Sequence, residues 1–370
     1  MAIALTHSGT SVYSSDSPSR ELLVGTADGI VTLERTQRAR SWRVAARALQ
    51  GSHVSSMIIP QPDLMLAAIY HGGIMMSRDG GKSWAHRDNG IAHNDVYSLG
   101  ATILSGKLRL LAGTEPARLY VSDDLGARWR ECPSLRAGAG VARWTFPAPP
   151  HQAHVKVITV APDDPSTIYA SVEQGDLLRS TDAGETWQEI TGFEEGFDFD
   201  VHRLVIHPKN PSRLYMMGGS GLCVSDDRGI SWKRYTDAKS PIGGYPDQLT
   251  YLPSNPDVLL ASGARANPST WMRSGFAGSR IGISRDRGRT WQILAGGLPA
   301  PDEWRSAIEA MTLEESGASF SAFAGTTSGE VFASDDSGDT WSLIASGIGP
   351  ISKGLHYMAL NRKEIAGAAT

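Results

Sequence analysis

Apolar residues along this chain fall in short runs, often alternating with polar ones, and the runs are broken by Gly, Pro, Asp and Ser. GIMMS (Gly73–Ser77), LYVS (Leu119–Ser122), LCVS (Leu222–Ser225) and IGIS (Ile281–Ser284) are typical. Runs of this length bounded by turn residues predict β-strands, since a helix needs a longer pattern of period 3.6. His154–Ser180, HVKVITVAPDDPSTIYASVEQGDLLRS, shows the larger unit: a strand, a Pro-rich turn, a second strand, a loop and a third strand. Val201–Ser225 repeats that order. Both units end at the same kind of polar segment, which carries the next step.

That segment is S-x-D-x-G-x-x-W. It begins at Ser77, Ser122, Ser180, Ser225, Ser284 and Ser334, so six copies lie 45 to 59 residues apart. This is the period of four-stranded propeller blades. Between two strands, the aspartates Asp79, Asp124, Asp182, Asp227, Asp286 and Asp336 suit a hairpin tip. There an Asp accepts local N–H bonds, and a glycine takes positive φ without steric cost. A calcium loop is disfavoured, because the closing bidentate glutamate is missing. A degenerate copy ends at Trp42, with Gln37 and Ala39 in place of Asp and Gly.

These motifs resemble the Asp-box, or bacterial neuraminidase repeat, family. The resemblance implies a β-propeller, the fold of its sialidases, xyloglucanases, sortilin-type receptors and photosystem II assembly factors. It does not imply one activity. The sialidase Arg-Ile-Pro element, arginine triad and Tyr/Glu pair have no matching positions here, and the xyloglucanases use two tandem propellers.

The expected architecture is therefore all-β: one seven-bladed propeller over residues 1–370, with six good boxes and one degenerate blade. Strands within 20–49 supply three strands of that blade, and a C-terminal strand within 351–361 is expected to complete it. The competing register uses AIALTH near the N-terminus. Forty glycines, twenty prolines and only 20% charged residues agree with many turns and short strands.

The formal net charge of −4 gives no footprint for nucleic acid. The first twenty residues show neither a basic n-region nor an apolar h-region, so the chain reads as soluble and cytoplasmic, with no membrane partner. Cys132 and Cys223 are read as separate buried thiols.

Aligning the first strands of the blades collects polar residues in two tiers. His53, Asp95, His154, Asp200 and Tyr245 form one; Ser55, Tyr97, Lys156, His202, Asp247, Glu309 and His356 form the other. A solvated channel is the plain reading. The sharper one is an enzyme acting on a small molecule. His53, His154, His202 and His356 then hold a divalent transition metal, with iron, manganese, zinc, copper and nickel all open, or act as acid–base groups. Glu309, Asp247, Lys156 and Arg203 are the other catalytic candidates. Trp144, Trp271 and Trp304 in long loops, with Tyr245, Tyr97 and His71, are candidate substrate contacts, the alternative being that the aromatics pack the loops down. Two further readings stand beside it: a scaffold binding a protein through Arg- and aromatic-rich loops, and a glycosidase using two carboxylates from Asp95, Asp200, Asp247 and Glu309.

Overall fold

A computed structural model describes residues 2–36, 41–190 and 200–353. Seven sheets, each with four antiparallel strands or with three and a parallel partner, make a seven-bladed β-propeller. Blade 1 contains Glu21–Thr26, Gly29–Arg35 and Trp42–Ala48; blade 2 runs from His53–Gln61 to Ala85–His86; blade 3 from Val96–Leu104 to Arg130–Glu131. Blade 4 spans His154–Val160 to Gln188–Glu189, blade 5 Val201–Ile206 to Lys233–Arg234, blade 6 Tyr245–Tyr251 to Gln292–Leu294, and blade 7 Ile308–Ser316 to Ser342–Ala345.

Among the described residues, blade 1 takes up the competing register from the N-terminal segment. Its first strand is Ala2–Leu5, paired in parallel with Glu21–Thr26 in the register Ala2 to Glu21 through Leu5 to Val24. Ile3, Ala4 and Leu5 are fully buried there, so the apolar start of the chain gains a core that a free terminus would lack. The segment continues as Ser8–Gly9 beside blade 2 and Val12–Ser15 beside blade 7, both again parallel. Residues 354–361, expected in that place, lie outside the described residues, as do Gln37 and Ala39.

Sandwiching dictates the strand compositions. Second strands such as Leu64–Tyr70 and Leu214–Gly218 are buried along their whole length and correspondingly apolar. Fourth strands such as Arg130–Glu131 and Lys233–Arg234 are two residues long and charged, which blunts an edge against pairing with another chain.

Each Asp-box closes a hairpin between third and fourth strands as expected. Asp227 Oδ1 accepts the Ser225 hydroxyl at 2.7 Å and the Ser231 N–H at 2.8 Å, while its Oδ2 accepts the Ser231 hydroxyl at 2.5 Å. The Ser225 hydroxyl oxygen accepts from Gly229 N, and Trp232 Nε1 donates to Gly229 O. The residue before the glycine also has positive φ, even where it is Leu125, Ala183 or Arg287. Satisfied hydrogen bonds hold that unfavourable conformation in place.

Two compact units divide the chain: one contains Met1–His7, Ser11–His53 and Tyr235–Thr370, the other Ser8–Thr10 and Val54–Arg234. In the second, apolar clusters fill the spaces between blades 2 and 3, 3 and 4, and 4 and 5. In the first, they join blades 6 and 7, and 7 and 1. No helix among the described residues is long and apolar enough to cross a membrane. The single α-helix named among them, Pro268–Ser274, starts where Asn267 Oδ1 accepts from Thr270 N.

Candidate functional site

Near the start of five first strands the ladder slips by a bulge. The pairing jumps from Val96 to Ser98, Val155 to Val157, Val201 to Arg203, Pro246 to Leu249 and Ile308 to Ala310. The bulged residues are Tyr97, Lys156, His202, Asp247 with Gln248, and Glu309. A bulge leaves one residue out of the ladder and re-aims its side chain. Five of the seven residues of the second polar tier read from the sequence, Tyr97, Lys156, His202, Asp247 and Glu309, are thus bulge residues.

In the second unit these side chains meet the ends of second strands. His154 lies between two carboxylates, its Nδ1 3.2 Å from Glu115 Oε2 and its Nε2 2.7 Å from Glu173 Oε2. Lys156 Nζ donates to Glu173 Oε1 at 3.4 Å. His202 Nε2 is 3.7 Å from the same Oε1 and 3.3 Å from Asp200 Oδ2. Glu173, Lys156 and His202 are fully buried, and Asp200, with its side chain 16% exposed, is the member nearest water.

Aromatic rings wall this cluster. Tyr97 stacks on His154 with centroids 4.0 Å apart, Phe146 meets His154 edge-on at 5.1 Å, and Tyr70 packs edge-on against Tyr97 at 5.2 Å. Both tyrosine hydroxyls hydrogen-bond with Glu115. Burial, followed by the Glu115 and Asp95 charges, pushes the Tyr70 phenol up to about 12. Burial and Glu115 also hold Tyr97 well above its ordinary range. Both phenols stay protonated donors. Beside Tyr70, the exposed His71 places Nδ1 2.5 Å from Asp95 Oδ1.

The other sequence candidates have separate surroundings. His53 Nε2 meets the Ser352 carbonyl at 2.9 Å in the first unit, while His154 and His202 share Glu173 in the second; His356 lies outside the described residues. Glu309 Oε2 accepts from the Ser352 hydroxyl at 2.7 Å and from Lys353 N at 3.3 Å. Asp247 Oδ1 accepts from Gln248 Nε2 at 2.8 Å, and Arg203 Nη2 donates to Gly9 O at 3.4 Å.

Two loop tryptophans follow the packing alternative. Trp271 and Trp304 are only 2% and 3% exposed, the first edge-on to Tyr245 and the second edge-on to Phe332. Their apolar area is used in holding loops to blades 6 and 7. Trp144 is half-buried against the cluster between blades 3 and 4.

Glu115, Glu173 and Tyr70 were missed in the sequence. The signal was present: each stands at or just after the end of an apolar second strand, in LLAGTE, YASVE and AAIY. Aligning second strands as well as first strands picks them out.

Residues 175–298 match the family model described as "Sortilin, neurotensin receptor 3" (Sortilin-Vps10). The vacuolar protein sorting/targeting protein 10 of Aspergillus flavus is 33% identical over 118 residues, 30% of this chain and 8% of that protein. Xyloglucanase Xgh74A of Acetivibrio thermocellus is 27% identical over 215 residues, 50% of this chain and 25% of the enzyme. The chain therefore spans a quarter or less of these curated relatives' lengths. Among solved structures, an ancestral GH74 enzyme superposes with a TM-score of 0.61 at 18% identity, over 79% of this chain and 38% of that one. YCF48 bound to D1 peptide gives a TM-score of 0.54 at 14% identity, over 90% and 86% of the two chains. At these identities the structural likeness is one of fold. The seven sheets and the repeated box hairpins make the chain a seven-bladed β-propeller, and these proteins are similar to it in fold.

Proposed function

We propose that the chain is an enzyme acting on a small polar molecule at the corner formed by Glu173, Asp200 and His202. The supporting observation is the burial together of Glu115, His154, Lys156, Glu173 and His202, drawn from blades 3, 4 and 5, with Asp200 at their water-facing side. Desolvating so many ionisable groups costs several kcal/mol per unpaired charge, and an apolar core would have been cheaper. Such clusters concentrate where chemistry needs them. In this reading the corner activates water against the bound molecule, and Lys156 offers positive charge to the anion that develops. The xyloglucanase relatives make a glycoside one substrate to test. The test is turnover of a panel of chromogenic glycosides, phosphate esters and carboxylate esters. One class should be hydrolysed by the native chain and lost in Glu173→Gln. A panel untouched by the native chain, or turned over equally by the variant, contradicts the reading.

A second reading rests on another place. Phe276 is 40% exposed with the Arg305 guanidinium 5.4 Å above its ring, and Arg265 is largely exposed nearby in sequence. Arginine and aromatic side chains dominate protein-binding hot spots, and YCF48 was solved with a peptide. A protein partner retained by the native chain and released by a Phe276→Ala/Arg305→Ala variant supports this scaffold role.

A further inference from the structure

We infer that Glu173, Asp200 and His202 bind one divalent first-row transition-metal ion. The inference deepens the enzymatic reading by naming what would activate water at that corner, but the binding itself is argued from geometry and charge.

The donor atoms are already spaced as ligands. A dication about 2.1 Å from each of two donors sets them about 3.4 Å apart in a tetrahedral shell. His202 Nε2 stands 3.3 Å from Asp200 Oδ2 and 3.7 Å from Glu173 Oε1, and all three donors lie within 4.8 Å of one another. Protonated partners alone do not require three donors to face one point. An imidazole with two carboxylates suits zinc, iron or manganese better than calcium or magnesium, which take oxygen ligands.

Charge points the same way. The carboxylates of Glu115, Glu173 and Asp200 gather around the one ammonium of Lys156, a surplus of acidic groups that favours a bound cation, and ligation takes the neutral form of His202. Around the ligands, supporting groups are in place: His154 Nε2 meets Glu173 Oε2 at 2.7 Å, and Glu115 Oε2 lies 3.2 Å from the other His154 nitrogen. Carboxylate–imidazole chains of this kind orient ligating residues, and their loss costs about 10–100-fold in metal affinity. Asp200 is positioned by Gly219, whose N–H donates to the Asp200 carbonyl and where an added Cβ would lie 2.4 Å from Asp200 Oδ2.

The test uses the chain without a polyhistidine tag, stripped with chelator and titrated with Co²⁺ and Zn²⁺ by calorimetry, with the visible bands of bound Co²⁺ as a second readout. About one equivalent should bind, with Co²⁺ bands of a nitrogen and oxygen shell. Glu173→Gln and His202→Ala should each weaken binding by at least about tenfold. Gly219→Ala, which displaces Asp200 without removing a donor, should weaken it too. Lys156→Met should strengthen it by removing a competing cation. Absence of binding to the native chain, or binding unchanged in Glu173→Gln, His202→Ala and Gly219→Ala variants that retain native circular dichroism, overturns the inference. Metal bound without turnover of any substrate would leave this site standing and count against the enzymatic reading alone.

Discussion

His154 Nε2 lies 2.7 Å from Glu173 Oε2, and the same carboxylate carries Lys156 on its other oxygen. One buried side chain at the end of a second strand thus gathers two residues of the neighbouring first strand, and His202 of the next blade comes within 3.7 Å. Removing it exposes what each partner owes to it.

Glu173→Gln takes one carboxylate charge away from Lys156 and both imidazoles in a water-poor setting. Breaking a buried ion pair by removing one partner costs about 3–5 kcal/mol, and urea unfolding of the variant should show a loss of that order. Adding Lys156→Met should recover part of it, because the two sites share one network. Losses that simply add would mean that the pair is not coupled.

The loop tryptophans make a contrasting prediction. Trp271 donates from Nε1 to Ala266 O at 2.7 Å and packs with Tyr245, Ala264 and Ala277. Trp271→Ala should lower stability by about 3–5 kcal/mol, in line with deletion of large core side chains. Calorimetric melting checks it; a variant as stable as the native chain would show that the ring is dispensable to the core.

Acid stability should follow the Asp-boxes. Hydrogen bonds from Ser83 and Ser231 lead in holding the Asp79 and Asp227 carboxyls down at about 2. A depressed folded value contributes stability that is fully present above the unfolded range near about 3.9 and is lost as pH falls through the folded value. The melting temperature should therefore stay level down to about pH 4 and fall between about pH 4 and 2. Asp227→Asn should melt lower at neutral pH and lose less on acidification.

Cys132 offers a test of the core between blades 3 and 4. Burial pushes its thiol up to about 11, and the residue is 2% exposed. Thiolate is the reactive form, so a thiol reagent at neutral pH should label Cys132 slowly in the native chain and rapidly in urea. Equal rates would contradict the packing.

The fold was legible because its signals are local. A hairpin tip must have Asp, Gly and a returning Trp within eight residues, and sandwiched strands must be short and apolar. The polar tier of Tyr97, Lys156 and His202 was legible too, since polar residues interrupt otherwise apolar strands. What the alternation could not give was the bulge, which breaks the period of two at the very residues of interest. Glu115 and Glu173 meet those residues across strands, and they show in the sequence only when the second strands are aligned as well as the first. Closure by Ala2–Leu5 ranked second for a similar reason, because a parallel edge strand leaves no hairpin signature in the chain.

The account rests on Glu173 holding His154 and His202 in one centre. Nitrogen-15 spectra of the ring nitrogens, compared between native chain and Glu173→Gln, test this most directly. The Nε2 signals of both His154 and His202 should move, while His207, whose Nδ1 accepts from Lys209 N and Asn210 N, should not. If neither His154 nor His202 responds, or each responds only to its own separate variants, the shared centre does not exist.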